Sequence, residues 1–306
     1  MRPSSRTIRA AAWGAVATGV AVPLLRRRLA LPVGVVTVAS TAAPFALCVA
    51  VPRTRTRDVA TCVLQMWAYF AHYEMPNDDP GRLEARVRVD YPVRIDRVLG
   101  LGELPGARLQ RLLGRPGGLR GPEQVLVWCH WLWFVVPHGT VAYFLLRRPQ
   151  RFARAALQTY AVFDLGLIGY WALPTAPPWY AAQQGRAPEL RRMMVEHGER
   201  FWGPRWAPLY RALGGNPLAA MPSLHFATSV MAARLLAEEG RVHGTVGWTY
   251  AGTLGFALVY LGEHYVVDLL AGLALAAAVR RGARPAAPLL RAVGRRVQAL
   301  ERAAHA

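Results

Sequence analysis

The sequence predicts an all-α fold: a polytopic membrane bundle of about eight transmembrane helices. Two properties of the whole chain point there, since 53% of its 306 residues are hydrophobic and its mean hydropathy is +0.17. The third observation is that apolar stretches long enough to cross a bilayer, about 17 to 25 residues each, recur along the chain with arginines at their ends. They lie at about 9–25, 29–51, 59–76, 124–146, 153–174, 222–239, 244–262 and 264–280.

The first stretch runs straight into Arg26, Arg27 and Arg28, and too much apolar sequence follows it for a removable signal peptide. With the second it makes an N-terminal membrane hairpin, 1–58. The third, 59–76, carries His72 and Glu74 near its end and fits an interfacial helix as well as a span. Residues 59–280 form the main membrane domain, in which 78–123 is a long extracytoplasmic loop with nine arginines from Arg82 to Arg120. Within that loop, Val98, Leu101, Leu109, Leu112 and Leu113 alternate with arginines. That is the pattern of a helix lying in the membrane interface, or of a solvated charged loop. In 124–146, Trp131 and Trp133 fit an aromatic belt, and His130 and His138 fall roughly on one helix face. His130 either lines a headgroup pocket or is an interfacial histidine with its own partner. Asp164 sits mid-span in 153–174. Residues 281–306 read as a basic cytoplasmic tail.

The formal charge is +19, and all 37 basic residues are arginine. Together with the abundance of Ala, Gly, Pro and Val, this points to a GC-rich bacterial genome. The arginines cluster at the ends of apolar stretches and not on one soluble face with aromatics between them, which excludes a nucleic-acid partner. Arginine placement orients the chain with both termini cytoplasmic: Met1–Arg9, Arg53, Arg55, Arg57, Arg147, Arg148, Arg151, Arg154, Arg241 and everything from Arg280 fall inside. Arg26–Arg28 and the 78–123 loop run against the rule. Cys48, Cys62 and Cys129 lie in apolar segments without metal-type spacing and read as packing residues.

Two stretches put ionisable groups at the start of apolar helices: "MPSLHFATS" at 221–229 and "YLGEHYVVDLLAG" at 260–272. Short turns join the last three spans, so both helix starts lie on one membrane face, where Ser223 and His225 meet His264 and Asp268. Pro222 suits the first helical position, which has no use for an N–H. The free N–H groups behind it, the helix dipole and the Ser223 hydroxyl favour an anion. His264 and Asp268, spaced i,i+4, share one helix face, and Gly272 leaves room on it. Either motif alone fits a cap or a snorkelling side chain. Two converging at membrane depth, where ionisable groups are costly, read as a site. Two histidines and an aspartate also suit zinc, but only Glu263 stands near to complete that set.

At these residues the sequence resembles the type 2 phosphatidic acid phosphatase superfamily. "PSLH", followed some 39 residues later by "HYVVD", is similar to its second and third motifs. With "PTAPPWY" at 174–180, the likeness is closest to its inositol phosphorylceramide synthase branch. The resemblance covers about 170–280 and implies a six-helix phosphatase core toward the C-terminus. It implies that His264 attacks phosphorus to give a phosphohistidine, that His225 protonates the leaving group and that Asp268 orients His264, with no metal or other cofactor. Ser223 and Leu224 would bind phosphate, Pro178 and Trp179 would wall the substrate, and the bilayer would deliver a phospholipid or polyprenyl phosphate. The chain departs from the family pattern in having no lysine for the first motif and Leu258 where the third usually has arginine. A phosphate-binding cation must come from elsewhere: Arg94 and Arg97, Arg186, or Arg191 with Arg192, the last pair reading first as the polar face of an interfacial helix. The implied function is a lipid phosphatase or phosphotransferase at the outer membrane face. Its sharper alternative is an inositol-phosphate transferase acting on a lipid alcohol. A transporter is the alternative of another class.

Overall fold

The computed structural model describes residues 4–114, 121–206, 208 and 215–306. Arg115, Arg120 and Met1 therefore lie outside the described residues. Among those described, the chain is helical and has no strand, only two isolated bridges that pair Thr175 with Arg88 and with Ala219. It divides into two compact units, one made of residues 1–78 and 280–306, the other of 79–279.

The first unit holds α1 (Ser5–Leu25), α2 (Val33–Ala50) and α3 (Arg55–Glu74). Both α1 and α2 are long and apolar enough to cross a membrane. On α3, buried Arg57 donates to the carbonyls of Cys48 and Val51 and pairs with Glu301 at 2.6 Å. Arg26 pairs with Glu74 at 2.9 Å and Asp78 at 2.8 Å, and Arg27 reaches Asp78 as well. The arginine run that stood against the charge bias is thus partly neutralised by its own neighbours. Burial would raise the Asp78 carboxyl, but the two guanidiniums hold it below the ordinary carboxylate range.

The C-terminal stretch 281–306, expected as a tail, instead continues α14 (Val266–His305). Its alanines, leucines and arginines are strong helix formers, and Ala304 packs in one cluster with Ala12, Val49 and Ala50.

In the second unit the 78–123 loop folds into α4 (Pro80–Arg86), α5 (Asp90–Leu99) and α6 (Pro105–Leu113). Val98, Leu101 and Leu112 are exposed, while Val93 and Leu104 face the core. The expected single span 124–146 is a bent pair, α7 (Gly121–Trp131) and α8 (Val136–Arg147), meeting at 51° across a 3₁₀ turn, Leu132–Phe134. Pro137 supplies the reason, because it has no N–H to carry α7's hydrogen-bond ladder onward. Next come α9 (Pro149–Ala172), α10 (Pro178–Gln183) and α11 (Met193–Trp202). The unit closes with α12 (Leu224–Ala237), α13 (Arg241–Tyr260) and the start of α14. At one end, Arg148, Arg151 and Arg154 from α8–α9 grip Glu238 and Glu239 after α12. That clamp ties the α8–α9 corner to the C-terminal end of α12.

Candidate active site

The site is built from two helix starts. Pro222 lies outside α12, not at its first position: Ser223 is the N-cap, and its Oγ accepts from the Phe226 amide at 3.3 Å. The Ser223 amide donates across to the Asp268 carbonyl at 3.0 Å, which ties the start of α12 to α14. Gly272 permits that approach, since a Cβ there would meet the Ser223 carbonyl oxygen at 2.6 Å. The room expected on that face is thus filled by backbone. The buried Leu224 side chain packs on Gly166, so what it can offer a substrate is its N–H. Among the described residues the Leu224 and His225 amides, in the first turn of α12, have no acceptor.

The start of α14 is arranged differently. His264 is not on the helix with Asp268, because it sits in the turn before it, its amide and that of Glu263 both donating to the Leu258 carbonyl. The pair meets because Asp268 reaches back as the acid of a capping box. Its Oδ2 accepts from the Tyr265 amide at 2.9 Å and lies 3.2 Å from His264 Nδ1. The next two amides are taken by Asp96, 170 residues earlier on α5: Val266 N–H donates to Oδ2 and Val267 N–H to Oδ1, both at 2.9 Å. These two carboxylates take three successive amides at the start of α14. Asp96 is 1% exposed. Burial pushes its carboxyl up to about 6 against the pull of the two amides, and the charge of Asp268 adds to the rise.

A carboxylate only accepts hydrogen bonds, so Asp268 places the His264 proton on Nδ1 and leaves the Nε2 lone pair free. That Nε2 lies 3.4 Å from His225 Nδ1. Asp268 is fully buried, and His264 is 6% exposed. The Trp133 ring stands 4.1 Å from His225, its Nε1–H donating to Thr228 at 2.8 Å. Trp133 therefore walls the site, although its sequence context suggests an aromatic belt. His130 also reaches the site, 5.0 Å ring to ring from His225, with a buried Nδ1 that finds no hydrogen-bond partner.

On the cation side, Arg192 lies flat over Trp179 at 3.9 Å and pairs with Glu263, next to His264, at 3.1 Å. Backbone packing puts it there. Gly262 takes φ +80°, and a Cβ on it would meet the Arg191 carbonyl oxygen at 2.4 Å. Gln110 fastens the same contact by bonding Arg191 N–H, Arg191 C=O and the Tyr260 carbonyl. Arg192 is accordingly part of the site's wall, and Pro178 is buried at the first turn of α10 beside Trp179. The other cations fall elsewhere: Arg97 pairs with Glu189, Arg186 with Asp90 and Arg191 with Glu196, while Arg94 is exposed on α5. Sequence reasoning missed Asp96, Gln110 and Trp133. For Asp96 a signal exists, an acid completing the buried stripe Pro92, Val93, Asp96 of an amphipathic helix. Among the described residues, no group of three or more His, Cys, Asp or Glu side chains is arranged to hold a metal ion.

This constellation lies inside a recognisable stretch of chain. Residues 123–280 match the model of the PAP2 superfamily. Over 154 residues the chain is 32% identical to the phosphoinositol dihydroceramide synthase of Bacteroides thetaiotaomicron, covering 47% of this chain and 50% of that one. Over 123 residues it is 31% identical to the inositol phosphorylceramide synthase of Candida albicans, covering 38% and 26%. The chain thus spans half the length or less of these two curated relatives. No solved structure matches it at a comparable level. With His225, His264 and Asp268 converging inside the matched residues, the chain belongs to the PAP2 superfamily.

Proposed function

We propose that the protein is an integral membrane enzyme that cleaves a lipid phosphoester through a phosphohistidine at His264 and passes the phosphoryl group to an alcohol. The observation that carries this is the buried relay Asp268–His264–His225, which aims an unprotonated Nε2 at a second imidazole. Nε2 attacks phosphorus, a P–N bond forms, and the P–O bond to the leaving oxygen breaks as protonated His225 gives that oxygen its proton. In the second half, His225 takes the proton of the acceptor hydroxyl while that oxygen attacks phosphorus and frees His264. In-line attack needs about 3 to 3.5 Å from nucleophile to phosphorus, with the acid beyond the leaving oxygen. The two facing nitrogens, 3.4 Å apart, therefore part as substrate enters.

Charge on the phosphoryl oxygens is met by the Leu224 and His225 amides with the Ser223 cap, and by Arg192, exchanging Glu263 for phosphate. The already occupied amides of α14 leave the α12 terminus as the anion's place. The bilayer reading keeps eight spans, cytoplasmic termini and an extracytoplasmic site, supported by arginine placement and by the short turns around α13.

Both relatives carry the names of synthases, which favours transfer over hydrolysis. Two outcomes are separable with purified protein given phosphatidylinositol, with and without ceramide or a long-chain alcohol. Diacylglycerol released only when the acceptor is present establishes transfer of inositol phosphate. Inorganic phosphate released from phosphatidic acid without any acceptor would replace that reading with a phosphatase.

A further inference from the structure

The matched family region begins at residue 123, yet the group that completes the start of α14 is residue 96. The first turn of α14 presents three amides, at Tyr265, Val266 and Val267, and two carboxylates to receive them. Asp268 is asked to do two things with one oxygen, since Oδ2 takes both the Tyr265 amide and His264 Nδ1. Its Oδ1 is buried and, among the described residues, has no hydrogen-bond partner. Unpaired amides beside it would draw that carboxylate over, because a buried donor without an acceptor is costly. Any rotation of Asp268 toward Val266 or Val267 pulls Oδ2 off His264 Nδ1 and frees the imidazole to turn or change tautomer. Asp96 removes that competition by giving one oxygen to each amide. It is fully buried, one turn along α5 from Val93, which packs in one apolar cluster with Leu104, Ala107 and Tyr265.

We infer that Asp96 is a positioning residue for the reaction, reserving Asp268 for His264 and so making α5 a working part of the active site. The inference rests on His264 being the attacking group.

The test uses the full chain in lipid–detergent micelles with labelled phosphatidylinositol and an alcohol acceptor, reading kcat, KM and the thermal midpoint together. Asp96→Asn is the main variant, as it keeps the shape and one acceptor oxygen but turns an N–H₂ on the second amide. Asp79→Ala is the control, because Asp79 caps α4 by accepting from the Arg82 amide and its loss is a cap loss away from the histidines. Asp96→Asn should lower kcat about tenfold or more, the scale of losing a group that orients a reacting one, with KM within about twofold of wild type. Asp96→Ala should lower kcat further, and Asp79→Ala should lower only the midpoint. Unchanged kcat in Asp96→Asn overturns the proposal. So does a kcat loss no larger than Asp79→Ala shows at an equal drop in midpoint, and so does failure of both Asp96 variants to fold, which would make the residue purely structural. His264→Ala is run alongside. If it stays active, the attacking-group reading fails; if it is dead while Asp96→Asn is at full rate, only the positioning role fails.

Discussion

In the proposed reaction His264 acts through one nitrogen because the other faces Asp268, and that is a matter of single atoms. Asp268 can only accept, so Nδ1 keeps its proton and Nε2 its lone pair. Asp268→Asn reverses the polarity at that contact by offering an N–H₂ to Nδ1, which drives the proton to Nε2. Turnover should fall about 10³- to 10⁴-fold, as when the carboxylate of a catalytic triad is neutralised, while circular dichroism shows the helices intact. Retained turnover would mean that the tautomer is set by something other than Asp268. Arg192 carries a second prediction at this scale. It is clamped by Trp179 below and Glu263 beside it, so its charge is placed but not sealed in. Arg192→Ala should cut kcat/KM at least about a hundredfold. Arg192→Lys should recover only part of that, because an ammonium neither stacks on the indole nor offers a fork to phosphate. Equal activity of Arg192→Ala and wild type, measured with the same lipid substrate, would send the search for the cation elsewhere.

At the scale of elements, the proposed reaction rests on two helix starts with different fates. Three successive amides at the start of α14 are taken by Asp268 and Asp96, whereas among the described residues that of α12 keeps two amides unspent. The distance between them is governed by Gly272, nearly two turns into α14, against the Ser223 carbonyl. Gly272→Ala sets two effects against each other. Alanine favours a helix interior by about 1 kcal/mol, but its Cβ would sit 2.6 Å from a backbone oxygen that has no freedom to leave. The clash should win: helix content stays the same, the α12 and α14 starts are pushed apart, and kcat falls about tenfold or more. Wild-type kcat in that variant would show that the spacing of the two starts is not critical. In this region the motif spacing made the meeting of the two starts legible, because they flank a pair of helices, α12 and α13, that carries the chain away and back. The occupation of one start by two carboxylates was not legible, since one of them comes from another segment.

For the molecule as a whole, the ends of the second unit differ in character. One end carries the Arg148, Arg151 and Arg154 clamp on Glu238 and Glu239, and the other the histidines under the α5–α6 segment. The bilayer reading assigns the clamp to the cytoplasm and the histidines to the outside. In a cysteine-free background, Arg186→Cys near the site should react with a membrane-impermeant thiol reagent applied from outside, and Arg241→Cys at the α12–α13 turn only after the inner face is opened. The reverse pattern would invert the topology and move the site to the cytoplasmic face.

Composition and periodicity determine by themselves that this chain is helical, that it is built for lipid, and that His225, His264, Asp268 and Ser223 belong together. Those signals are local: an apolar run long enough to cross a bilayer, a proline and a serine at a helix start, and a histidine and an aspartate four apart each sit within one stretch of chain. Tertiary structure decided the rest. It broke 124–146 at Leu132–Phe134, carried α14 through to His305, and placed Pro222 before its helix instead of in it. It set Arg192 beside Glu263 and paired Arg97 with Glu189, and it brought Asp96 to amides 170 residues away. A guanidinium or a carboxylate has the same chemistry wherever it stands in a sequence, and its partner is whichever donor or acceptor packing leaves within about 3 Å. That choice is made between segments, by the requirement that buried polar groups find partners, and so it appears only once the helices are assembled.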